Sequence, residues 1–149
     1  MSSANTNGTS ARPCHLWLVG IVSLLWNSMG AFDFIMFQTR NEAYMSSFTP
    51  EQLEHFYGLP TWAVAVWGIA VWGGVGGSIL LLLRKSMAVK LFLFSMVSGV
   101  LTTIHYFLFS DGLEFGGDPF SLVFSALIFI VAVALFLYAR TMNQRGVLN

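Results

Sequence analysis

The sequence predicts an all-α fold: a four-helix transmembrane bundle, both termini cytoplasmic, with a short amphipathic helix in the first outer loop. Three observations predict it. Of 149 residues, 56% are hydrophobic and 9% charged, whereas soluble domains carry about 25% charged residues. Four apolar runs, 16–37, 61–83, 89–109 and 120–138, each come near the roughly 20 residues that carry a helix across about 30 Å of hydrocarbon. The basic residues are also segregated. Arg12, Arg84, Lys85, Lys90, Arg140 and Arg145 fall on one side of this topology and only Arg40 on the other, which by the positive-inside rule places the first group in the cytoplasm. Run length and lack of alternation exclude spanning strands.

Residues 1–11 are small and polar and are expected to form a disordered tail, leaving 12–149 as a single membrane domain. A signal peptide cleaved near Ser28-Met29-Gly30 is the rival reading of the first run, but the apolar stretch continues to Phe37. Cys14, the single cysteine, excludes an internal disulfide and a CxxC pair. The acids Glu42, Glu51, Glu54, Asp111, Glu114 and Asp118 all fall on the outer side, giving that face a negative field.

In the first outer loop, Thr49-Pro50-Glu51-Gln52 has the form of a capping box with proline at the first helical position. Gly58 and Pro60 close the short helix, whose Leu53, Phe56 and Tyr57 would lie on the bundle or membrane surface as a brace or lid. In the second span Ala70, Gly73, Gly74, Gly77 and Ser78 are small residues at near-helical spacing, and in the third Ser95 and Gly99 continue the theme. Small residues let helix backbones approach where lipid supplies no hydrophobic drive, so both faces are expected to pack. Trp62 fits the outer aromatic belt, while Trp67 and Trp72 are expected to pack inside. Ser98, Thr102, Thr103 and Tyr106 could give the third span a polar lining, and the fourth reads as scaffold.

The candidate binding residues cluster at the outer end of the first span: Asn27, Asp33, Gln38, Arg40, Asn41 and Glu42, with His105 at matching depth on the third span. An amide and a carboxylate inside an apolar run need a partner, water or a function. Asn27 is expected to make an interhelical hydrogen bond. Asp33 is open to several readings: an ion pair with Arg40, a proton or solute site, snorkelling to water, or contact with a partner subunit, and its depth also permits contact with His105. A shift of 72 residues superposes Ser23 on Ser95 and Asp33 on His105, a faint echo of a parallel repeat.

No HExxH, nucleophile elbow, Walker loop or paired histidines for haem occurs, so no enzyme, metal or cofactor is expected. Zero net charge gives no footprint for nucleic acid. The expected partners are the lipid bilayer and either further copies of the chain or a larger membrane complex. The segments LLWNSMGAFDF, QTRNEAYMSSFTPEQLEHFYGLPTW, VWGGVGGSILLLLR and the closing YAR resemble a family of small bacterial four-helix inner-membrane proteins often loosely labelled "sugar transporter". The resemblance implies a bacterial inner membrane, implies sugar transport only by name, and assigns no site residue. The residues themselves point to a transporter-like protein with an outward-facing polar site at the outer end of the first span or, alternatively, to an accessory or assembly subunit with the polar loop as its docking surface.

Overall fold

A computed structural model of the protein describes residues 13–109 and 119–149. It is helical throughout, with no strand among the described residues. The elements are α1 (Cys14–Gln38), α2 (Glu42–Met45), α3 (Pro50–Tyr57), α4 (Thr61–Leu82), α5 (Met87–Phe109) and α6 (Pro119–Gln144). The helices α1, α4, α5 and α6 are long and apolar enough to cross a membrane, so the chain is a multi-pass membrane protein built as a four-helix bundle. The expected tail 1–11 and the turn at 110–118 with Asp111, Glu114 and Asp118 lie outside the described residues.

The helix α4 is central, packed between α1 and α5, with α6 against α5. Its small residues divide into two faces rather than one. Toward α1, a Cβ on Gly68 would stand 3.2 Å from Phe34, and one on Gly74 would overlap the amide oxygen of Asn27. Toward α5, a Cβ on Gly73 would lie 3.2 Å from Ser95, and one on Gly77 would lie 2.9 Å from the Phe92 ring. Each glycine thus removes the side chain that would hold two backbones apart. Gly99 was expected to do the same. A Cβ there would meet nothing within 4 Å, so Gly99 borders open space and its missing side chain lets no described helix come closer. Trp72 also departs from expectation: it is exposed at the bundle surface, where its ring can lie against lipid.

One end of the bundle, the basic end, gathers Arg84, Lys85, Lys90, Arg140 and Arg145. Its core joins Leu16 of α1, Leu81 of α4, Ala88 and Phe92 of α5 and Leu135, Ala139 and Met142 of α6. The turn from α4 to α5 closes as a Schellman motif. Arg84 takes a left-handed φ of 59°, the Lys85 amide donates to the Leu80 carbonyl at 2.8 Å, and the Arg84 amide donates to Leu81 at 3.0 Å. Residues 147–149 fold back over this turn, with reciprocal 2.7 Å backbone bonds between Asn149 and the pair Arg84 and Ser86. The Arg84 Nε donates to the Val147 carbonyl at 3.0 Å, so this arginine has a structural use.

The opposite end, the cap end, is covered by residues 39–60. The capping box is formed as expected: Thr49 Oγ1 accepts from the Gln52 amide, and the Gln52 side chain accepts from the Thr49 amide. Phe37, only 5% exposed, anchors the cap, with ring centroids 4.6 Å from Phe56, 5.1 Å from Phe48 and 5.9 Å from Trp67. Aromatic pairs at such distances add about 0.5–1.5 kcal/mol each beyond their burial, so the cap is fixed by rings more than by polar bonds.

Candidate functional site

The polar residues of the first span separate into three groups by what they touch. Asn27 lies midway along the α1–α4 contact. Its amide nitrogen donates to the Ser23 carbonyl at 2.8 Å and to Ser78 Oγ at 3.3 Å. Ser78, fully buried, donates in turn to the Gly74 carbonyl at 2.8 Å. Ser95 joins from α5 by donating to the Ala70 carbonyl. The expected interhelical bond from Asn27 is present, and the donors around it are engaged by protein. These groups tie α1, α4 and α5 together. Thr102 and Thr103 likewise donate to carbonyls of their own helix, Ser98 and Gly99, so these threonine hydroxyl protons are turned back to α5 and do not form a polar lining.

Asp33 has a partner that none of the sequence readings named. The hydroxyl of Tyr44, on α2, donates to its carboxylate. Tyr44 reaches that position because Asn41 starts a four-residue helix: its side chain accepts from the Tyr44 amide at 3.0 Å. Asn41 is therefore a capping residue and Glu42 the exposed first residue of α2. The Tyr44 ring also meets Phe32 and Phe48 at 5.8 and 5.7 Å. Burial first, and the adjacent carboxylate second, push the Tyr44 phenol up to about 12. His105 sits against Trp62, with centroids 4.8 Å apart, and Phe109, so the structure does not bring Asp33 and His105 together.

Gln38 and Arg40 form the third group. Arg40 does not pair with Asp33. It is the left-handed residue of a second Schellman motif, at the end of α1: φ is 50°, the Asn41 amide donates to Met36, and the Arg40 amide donates to Phe37. This turn carries its guanidinium over the ring of Tyr57, 4.4 Å from the centroid, a cation–π contact. Gln38, Arg40 and Tyr57 line a cleft of about 200 Å³ whose other walls are Phe37, Phe56, Leu59, Val64 and Trp67.

No protein family, curated protein or solved structure matches the chain.

The walls come from α1, α3 and α4, so the cleft exists only when the cap is folded onto the bundle. Phe56 and Tyr57 belong to it although sequence reasoning gave them only a place on a surface helix. The signal that could have found them is the capping box, which fixes α3 and so the direction of its aromatic side chains. Among the described residues there is no cluster of three or more His, Cys, Asp or Glu able to hold a metal ion. The cleft offers an aromatic floor, an amide and a guanidinium, which suits recognition.

Proposed function

We propose that this chain is a small non-catalytic membrane protein that binds a small solute from the outer side of a bacterial inner membrane, in the cleft between the end of α1, the loop helix α3 and the start of α4. The supporting observation is the cleft itself: Gln38 and Arg40, two of the residues singled out in the sequence, open onto one aromatic-walled space of about 200 Å³. Pockets for drug-sized ligands run to roughly 300–1,000 Å³, so this one suits a single ring or one group of a larger molecule. The role is transporter-like in its outward recognition. Passage through the bundle would need further copies of the chain, because the Asn27–Ser78 contact occupies the middle of the α1–α4 seam.

A second reading, an accessory subunit of a larger membrane complex, is favoured by α6. From Pro119 to Ile130 none of its residues is buried, and Phe120, Val123 and Ile130 are among the most exposed apolar side chains. Native mass spectrometry of the protein released from membranes in mild detergent decides between the readings. Assemblies of this chain alone that retain added benzamide, a neutral single-ring probe, are the expected result. Obligate recovery with unrelated, larger subunits and no retention of benzamide would favour the accessory role.

A further inference from the structure

Resting on that reading, we propose that the cleft selects an oxyanion, a carboxylate or phosphate, carried on a flat apolar body, with Arg40 as its anion-binding group. Among the described residues Arg40 is the one lysine or arginine at the cap end, which also carries Asp33, Glu42, Glu51 and Glu54. None of these acids pairs with it, and its side-chain contact is the Tyr57 ring. Asp33 is taken by Tyr44, and the three glutamates are exposed, where salt screens them over about 8–10 Å.

Arg84 supplies an internal comparison. Both arginines occupy the left-handed position of a Schellman motif, with φ of 50° and 59°, where glycine is the favoured residue. Arg84 uses its side chain to hold the Val147 carbonyl. The guanidinium of Arg40 lies over the Tyr57 ring and, among the described residues, gives none of its N–H donors to a protein acceptor. Stacking orients a guanidinium while leaving its edge open, and that edge matches a carboxylate or phosphate with two parallel hydrogen bonds. Beneath it, Phe37, Phe56 and Trp67 present ring faces and edges to an apolar body, and Gln38 adds an amide. A cationic ligand would have to displace Arg40 from Tyr57.

Three probes of nearly one shape test this: benzoate, benzamide and benzamidinium. They are titrated calorimetrically into the full chain in phosphatidylcholine nanodiscs, with empty discs as blank. Benzoate is expected to bind at least tenfold tighter than benzamide, and benzamidinium more weakly than either. Within each of Arg40→Gln and Arg40→Gly, benzoate should bind no more tightly than benzamide, so that the tenfold preference is lost. The glycine variant suits the left-handed φ and so guards against misfolding. Equal binding of benzoate and benzamide by the wild type, or a preference that survives both variants, overturns the inference and leaves the solute-binding reading standing. Absence of binding by all three probes removes both. Repeating the titration in discs containing phosphatidylglycerol identifies the source of the anion. Competition with benzoate points to a lipid phosphate, and unchanged binding points to a soluble anion; both support the oxyanion assignment.

Discussion

Gly77→Leu is expected to destabilise the bundle by about 2–3 kcal/mol, the upper part of the range for overpacking a tight contact. The first added carbon would already lie 2.9 Å from two atoms of the Phe92 ring, and that ring is only 3% exposed. It has Leu81, Ala88 and the α6 residues Leu135 and Ala139 as companions in the basic-end core, so it cannot swing aside without opening that core. The remaining option is for α4 and α5 to separate. Thermal unfolding in detergent, followed by tryptophan emission, reads the effect. Gly77→Ala combined with Phe92→Leu should recover much of the loss of Gly77→Ala alone, because the two sites share one contact and are not additive. Gly99→Ala is the control. Its Cβ enters open space, and it should cause no loss of stability.

Tyr44→Phe is expected to loosen the cap by about 1–2 kcal/mol, the cost of leaving a partly buried acceptor without its donor. Asp33→Asn should cost less, since the amide oxygen can still accept from the Tyr44 hydroxyl. That ordering separates the observed pairing from an ion pair with Arg40, for which Asp33→Asn and Arg40→Ala would be equally damaging. The phenol adds a pH signature. Its ordinary value is 10.0, and in the folded protein it is pushed up to about 12. Between these values the unfolded cap releases the proton and the folded cap keeps it, so the contribution of Tyr44 to stability is constant below about pH 10 and is lost as pH rises toward 12. Tyr44→Phe should abolish this alkaline loss. Spectrophotometric titration should show a phenol ionising near pH 12 in the wild type that is missing from the variant.

These two cases also show how far the sequence could be read. The spans were legible because length and hydropathy alone decide whether a helix can cross a bilayer. The loop helix α3 was legible because Thr49, Pro50 and Gln52 act within one turn. What the sequence concealed is rotation. A span that is apolar all round carries little periodic signal, so nothing marked Gly74 as facing α1 and Gly77 as facing α5, or Gly99 and Trp72 as facing outward. The partner of Asp33 was hidden for a different reason. It depends on α2, a four-residue helix too short to leave a periodic pattern, started by an Asn41 side chain that in the sequence alone reads as a ligand contact. Gln38 and Arg40 were found as polar residues, but the walls around them belong to α3 and α4 and could be assembled only in three dimensions.

The central claim is that solutes meet this protein at the cleft at the end of α1, and that the polar groups at mid-span are dry ties between helices. Cysteine accessibility in intact cells tests both halves at once. With Cys14 replaced by serine, Gln38→Cys should react rapidly with a membrane-impermeant maleimide added outside. Ser78→Cys, close to isosteric and fully buried between α1 and α4, should resist even a small methanethiosulfonate reagent. Rapid labelling of Ser78→Cys, or protection of Gln38→Cys from outside reagent, would contradict the account.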